Sequence, residues 1–323
     1  MWYISFGDNM SLITEEKHYN TLANYYLKKY HEKVAKISLN AGLSCPNKDG
    51  KKGYGGCTYC SKLGSGDFAG KPTDELKVQF QNIKQIMMEK WPNTLYIPYL
   101  QANSNTYGET SKLEKIYQEL TNLDPNVVEI SIATRADCLE EEKLALLDKL
   151  NKQIPVQIEL GLQTSNENTA KLINRGSTND EFINAVNNLR KIGIEIVVHI
   201  INGLPGETKE DMLNTIEFLN SLDIQGIKIH SLCILKNTKM GDDYLKQPWN
   251  LLSLEEYVDI TVSQIRHLRN DIIIHRLSAD ADLNDLIAPQ WTRKKLVVMN
   301  EIDKLMRKRN YYQADQFKKG HSS

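Results

Sequence analysis

The stretch LSCPNKDGKKGYGGCTYCSKLGSGDFAG, residues 43–70, holds three of the chain's five cysteines, Cys45, Cys57 and Cys60, in a run dense in glycine and lysine. A closed zinc tetrahedron wants four ligands. No histidine or fourth cysteine lies in the run, and only Cys138 and Cys233, far along the chain, remain to complete one. A three-thiolate set is also what a cubane cluster needs when one iron must stay open for a ligand. The glycines allow positive φ and close backbone approach around a bulky inorganic group. Lys48, Lys51 and Lys52 would offset part of its negative charge. The rival readings are a zinc-stapled loop and an ordinary loop of reduced thiols.

The run follows VAKISL (34–39), the first of six β-branched segments. The others are TLYIPYL (94–100), VVEISIAT (127–134), IPVQIELGL (154–162), IEIVVHII (194–201) and IQGIKIHSL (224–232). Between them, segments such as SKLEKIYQELTNL repeat apolar residues at helical spacing. Strand alternating with helix predicts an α/β fold with a parallel sheet and right-handed crossovers. Helix starts are read at Thr73-Asp74, Thr110-Ser111 and Thr178-Asn179-Asp180. The layout is a helical lead-in over 1–33, a βα core over 34–235 and a basic extension over 236–323. In a barrel, open or closed, the chemistry sits where the strands end. There the sequence places Cys45, Gln101 with Asn103, Thr134 with Arg135, Gln163, Asn202 with GLPGET, and Cys233.

Hydrophobic residues at 41% and charged residues at 25% exclude a disordered or fibrous chain. No segment reaches the ~18 apolar residues of a membrane helix. The N-terminal stretch, with Asp8 and no basic start before a long apolar run, does not read as a secretory signal. A cytoplasmic protein without a membrane partner is expected, where clustered thiols bind metal more often than they form disulfides. The net charge of -1 hides a basic tail running from Arg293 to Lys319. The lead-in interleaves Tyr19, Tyr25, Tyr26 and Tyr30 with Lys28, Lys29, Lys33 and Lys36. Such mixtures hold phosphates and stack bases, or else form solvated helix faces.

A cysteine triad after the first strand, with Tyr59 before the third cysteine, resembles the radical S-adenosylmethionine (SAM) superfamily. The long first spacing is similar to the elongator-type branch and its bacterial relatives of the YtqA/YhcC kind. YLQANSNTYG, IATRAD, IELGLQT, INRGST, HIINGLPGET and IHRLSADADLNDLIAPQWTRKK carry the resemblance along nearly the whole chain. It implies a partial (β/α)6 barrel of the TIM type. It also implies a 4Fe-4S cluster on Cys45, Cys57 and Cys60, SAM on the fourth iron, and an electron donor such as flavodoxin or ferredoxin. Gln101 and Asn103 stand where the methionyl amine is met, and Arg175 where the carboxylate is met. Gln163 and His199 suit the ribose hydroxyls. Glu159, an acid in an apolar strand, needs a partner, for which Arg135 is the candidate. The catalytic residues stay unassigned.

Cys138 and Cys233 read as small buried hydrophobes, and Asp280, Asp282 and Asp285 as helix caps. The resemblance further implies tRNA as partner, with conversion of 5-carboxymethylaminomethyl-uridine to the 5-aminomethyl form at the wobble position. The competing expectations are a radical enzyme with a small-molecule or protein substrate, and a zinc-stapled RNA-binding module without catalysis.

Overall fold

The computed structural model describes residues 12–64 and 66–318. The first eleven residues of the lead-in, with Asp8, and the tail from Lys319 lie outside the described residues. The chain begins with α1 (Leu22–Tyr30), β1 (Val34–Leu39), α2 (Leu76–Lys90), β2 (Leu95–Leu100), α3 (Thr110–Thr121) and β3 (Ile130–Thr134). It continues through α4 (Glu141–Asn151), β4 (Val156–Gln163), α5 (Glu167–Leu172), α6 (Asn179–Lys191), β5 (Glu195–Asn202), α7 (Lys209–Asn220) and β6 (Gly226–Ser231). After these come β7 (Ile234–Leu235), α8 (Lys239–Lys246), α9 (Leu254–His267), β8 (Ile273–Arg276), β9 (Leu286–Ala288) and α10 (Lys295–Arg309).

All six strands read from the sequence are present, and a seventh joins them. The sheet order is β1-β2-β3-β4-β5-β6-β8, every pair parallel. Each strand lies beside its predecessor in the chain, as in an open barrel of the TIM type. The seventh, IIHR, is only four residues long and comes after two helices. Short β7 and β9 pair antiparallel beside it.

Alternation explains the packing. Ile37, Ile132, Ile158, Val198, Ile227 and Ile229 are fully buried in one core under the helices. Residues one step away, Lys36, Ser38, Glu159, His199, Lys228 and His230, line the inner cavity. A pleated strand sends neighbours to opposite faces, so the polar positions in VAKISL, IELGLQ and GIKIHS point inward. This barrel interior is a polar chamber.

Helix starts follow the sequence in part. Thr178 and Thr208 each close a capping box, with Glu181 and Asp211. By contrast α2 starts at Leu76 after Glu75, past Thr73-Asp74, and α3 starts at Thr110 with no side-chain cap. At α2 a backbone turn from Asp74 N–H to the Lys71 carbonyl and the Gln79 side chain, donating to the Asp74 carbonyl, hold the helix start. Asp280 and Asp282 are not helix caps either, because Asp280 pairs with Arg276 and Lys295 and Asp282 caps only a turn at Asn284.

The lead-in differs most from expectation. Its aromatics neither stack in solvent nor form a wet helix face. Glu129, before β3, is buried and accepts hydrogen bonds from the Tyr26 and Tyr30 hydroxyls and from Lys29. Glu195, at the start of β5, accepts from Tyr25, and Asp303 accepts from Tyr19. Lys33 lies over the Trp91 ring at 3.7 Å, and Lys36 points into the barrel. The N-terminal ends of the strands supply the carboxylates, so α1 is drawn across the lower end of the sheet.

Replacing Glu129 with Ala leaves two tyrosines and a lysine without their acceptor. A loss of about 3 kcal/mol is expected in urea unfolding. Lys28→Ala, on the exposed side of the same helix, is expected to stay within about 0.5 kcal/mol. Equal midpoints for the two variants would show that Glu129 does not hold α1.

Candidate functional site

A cavity of about 980 Å³ fills the sheet's concave side. Its roof is the cysteine loop, its wall the strand interiors, and its floor the lead-in around Thr21 and Tyr26. Cys45, Cys57 and Cys60 all line it, with Cys45 buried and the other two half-buried.

The eleven residues between Cys45 and Cys57 form a small hairpin that returns the chain to its start. Lys48 and Asp49 N–H donate to the Cys45 carbonyl, Lys52 N–H to that of Pro46, and Gly56 N–H to that of Asn47. The crossing is held by Asn47, whose buried amide donates to the Asn174 carbonyl at 2.6 Å and reaches Cys57 Sγ at 3.7 Å. A methyl group on Gly53 would lie 2.5 Å from Asn47 Oδ1. The CTYC turn is closed by Cys60 N–H donating to the Cys57 carbonyl and fixed from outside by Thr58 N–H to Ile173 and Met240 N–H to Thr58.

Lys48 Nζ donates to the carbonyls of Ser61 and Lys62 and to Asn103 Oδ1. The Asn103 amide donates in turn to the Leu43 carbonyl at 2.9 Å. Asn103, left-handed at φ 60°, therefore buttresses the loop. Gln101, at the end of β2, lines the cavity. Gln163 ends β4 at φ 66°, beside a register shift, and lines the cavity as well.

Arg175 is buried, and its donors are taken locally. Nε reaches the Ser177 carbonyl, Nη1 the carbonyls of Leu162 and Thr164, and Nη2 the Asn179 side chain. The planar fork that would grip a carboxylate is occupied in holding the end of β4. The other guanidinium in the roof belongs to Arg135, which forms a two-point pair with Asp137 at 2.8 Å. Burial pushes the Cys45 thiol up, and the Arg135 charge opposes that rise.

Glu159 corrects its expected pairing. Its carboxylate, with no exposed surface, accepts from Lys36 at 2.7 Å, His199 Nε2 at 2.7 Å, Ser131 at 3.2 Å and Lys228 Nζ. Arg135 lies past the end of β3 and turns to Asp137, two residues on. Glu159 stands mid-strand beside Ala133 and Val197 and meets side chains from β1, β3, β5 and β6. Burial would raise its pKa, but Lys228, Lys36 and His199 hold it well below the carboxylate range. Burial pulls Lys228 down to about 8, with Glu159 opposing, and lowers His199 and His230.

Strand reading missed Lys36, Lys228, His230 and Arg276 as cavity residues. The signal was available, because a lysine at an inward step of an apolar strand is as costly as Glu159 unless paired. Cys138 is buried, and burial pushes its thiol up to about 12. Cys233 instead lines the cavity.

Among the described residues, no three His, Cys, Asp or Glu side chains gather as a cage for a single ion. All three cysteines line the cavity from its roof. Gly56 and Gly64 line the same space. The residues fit a cubane held on three thiolates, with the cavity beneath it large enough for a ligand.

Residues 50–219 match the Radical SAM superfamily, and residues 224–308 match the Radical_SAM C-terminal domain. The chain belongs to the radical SAM superfamily. It is therefore a radical SAM enzyme, of a family whose cofactors are a 4Fe-4S cluster and SAM. Cys57 and Cys60 fall inside the match, and Cys45 lies just before it. The uncharacterized protein YtqA of Bacillus subtilis (strain 168) is 43% identical over 94% of each chain. Protein YhcC of Escherichia coli (strain K12) is 32% identical over 90% of this chain and 93% of that one. The solved structure of archaeal Methanocaldococcus infernus Elp3, with residues 1–46 deleted, superposes with a TM-score of 0.65 at 15% identity. It covers 87% of this chain, which spans 64% of that one, and the likeness is one of fold. No helix among the described residues is long and apolar enough to cross a membrane.

Gly64 and Gly55 separate fit from backbone strain. Both are left-handed, but a methyl on Gly64 would lie 1.9 Å from Asn103 Oδ1, whereas one on Gly55 meets nothing within 4 Å. Gly55→Ala should cost only about 1–2 kcal/mol of strain and keep its iron. Gly64→Ala should lose bound iron after anaerobic reconstitution. Equal iron content would show that the Asn103 contact does not shape the loop.

Glu207, in the GLPGET turn, is raised by burial to about 7 from 4.5. The folded chain holds a proton there that the unfolded chain has released, so stability falls as pH rises across that window, by about 3 kcal/mol. In Glu207→Gln this fall should vanish from unfolding midpoints measured between those pH values. A slope identical to the parent's would remove Glu207 as its source.

Proposed function

We propose that Cys45, Cys57 and Cys60 hold three irons of a 4Fe-4S cluster, and that the open iron faces SAM in the cavity beneath the loop. The observation that carries this reading is that Cys45, Cys57 and Cys60 all line the roof of one cavity. When bound, this pair supplies a 5′-deoxyadenosyl radical that abstracts hydrogen from carbon. The chain's own residues orient and enclose the cofactor. Gln101 and Gln163 offer amides to its amino and hydroxyl groups, and His199 borders the same space from β5. Asn103 and Arg175 line the same cavity and also fix the loop and the end of β4.

We further propose that the substrate is the wobble uridine of a tRNA, carrying a 5-carboxymethylaminomethyl group whose N-carboxymethyl part is removed to leave the 5-aminomethyl base. Support comes from the resemblance to the YtqA group and from the exposed basic side of α10, with Lys304, Arg307, Lys308 and Arg309. Tyr19 and Tyr26 are buried, and half-buried Tyr25 and Tyr30 have their hydroxyls on Glu195 and Glu129, so no RNA stacking is assigned to the lead-in tyrosines. Phosphates would lie along α10, and one unpaired base would enter the cavity.

Mass spectrometry of tRNA nucleosides tests the reading. Cells lacking the gene should accumulate the carboxymethylaminomethyl form, and a Cys45→Ala copy should fail to restore the product. Neutralising Arg307, Lys308 and Arg309 together should weaken tRNA binding and lower its salt slope by about 3. An unchanged nucleoside profile on deletion would refute the tRNA assignment.

A further inference from the structure

Two clusters in the cavity each set two cations against one carboxylate. Lys36 and Lys228 share Glu159, and Arg276 and Lys295 share Asp280. His199, His230 and His275 are kept neutral by burial and add no charge of their own. Four cations therefore face two carboxylates.

The surplus is not spread evenly. Lys228 and Arg276 stand side by side in the register of β6 and β8. Arg276 uses Nη2 toward Asp280, and its Nε is buried without a hydrogen-bond partner. Lys295, at the start of α10, borders the same space. Burial, with the Arg276 charge, pulls its ammonium down to about 8. A buried guanidinium donor without an acceptor costs free energy until an anion meets it. A carboxylate satisfies a guanidinium edge and an adjacent ammonium together.

We infer that Arg276, with Lys295 and Lys228 beside it, forms a subsite for a carboxylate carried by the substrate. The inference rests on the reading that a modified uridine side chain enters this cavity, and it names what holds the far end of that side chain. The subsite belongs to β8, the last strand of the sheet, while the cysteine loop follows β1, the first. The phosphates have the outer face of α10 available to them, so the chamber need accept only a substituent.

Two anticodon stem-loop RNAs, one with 5-carboxymethylaminomethyl-uridine and one with 5-aminomethyl-uridine, are titrated into the full chain at one salt concentration. Fluorescence anisotropy reads the two affinities. The unaltered chain should prefer the carboxylated RNA about tenfold, the ratio of one charge-assisted pair. Arg276→Gln should remove the preference and leave affinity for the aminomethyl RNA unchanged, and Arg276→Lys should keep part of it. Lys295→Met, on a half-exposed side chain where folding is not at risk, should reduce it about threefold.

Equal affinities in the unaltered chain, or a preference that survives in Arg276→Gln, overturn the subsite. The tRNA reading would still stand on the nucleoside profile. Should neither RNA bind, that reading falls, and saturation-transfer NMR with N-methylglycine decides the subsite. A signal lost in Arg276→Gln supports it, and no signal in the unaltered chain overturns it.

Discussion

The carboxylate of Glu159 is the point on which the interior depends. A parallel barrel of this size usually fills its middle with branched apolar side chains. Here four strands send polar groups to one buried acid, through Lys36, Ser131, His199 and Lys228. Two lysines without that acid would be uncompensated charges in a low-dielectric space, and removing one partner of such a set costs several kcal/mol. The network ties β1, β3, β4, β5 and β6 together across the hollow. It therefore does from inside what apolar packing would do in a filled barrel, and it leaves the upper and outer parts of the cavity open.

With the centre fixed, the two ends are closed by different means. The lower end is covered by α1, held by Glu129 and Glu195 at the strand starts. The upper end is covered by the cysteine loop, which leaves Tyr54, Leu63 and Phe68 exposed and is held largely by hydrogen bonds. Asn47 links the hairpin to Asn174, and Lys48 links it to Asn103 and the segment after Cys60. Polar pins of this kind, backed by glycines without room for a methyl, set geometry more tightly than a few hydrophobic contacts would. They suit a loop that has to keep one shape.

The strands were legible because their outward residues, such as Ile37, Ile158 and Ile227, alternate with polar ones. The cysteine triad was legible because a thiol set of three is chemically unusual. The seventh strand was not, since four residues of IIHR carry too short an alternation to stand out from the helices around them. The lead-in misled for a different reason. Its tyrosines and lysines have the composition of an RNA-binding surface, and nothing local reveals that Glu129 and Glu195, about a hundred residues and more away, are their partners. Arg175 and Arg135 show the same limit: a guanidinium's role is set by which acceptors the fold brings to it.

This limit bears on how charge in the whole chain should be read. The formal net charge is -1, a value that describes neither of the surfaces that matter. Cations are concentrated along the outer side of α10 and, paired two to one with carboxylates, inside the cavity. In bulk water such pairs would be screened within about a Debye length. Around the buried carboxylate of Glu159 the screening is weaker, whereas solvent still reaches half-exposed Asp280 and Lys295. An incoming group would meet a weak attraction outside and a stronger, more directional one at Arg276. Selectivity for an anion would then arise within the barrel, after the basic face had already bound the carrier.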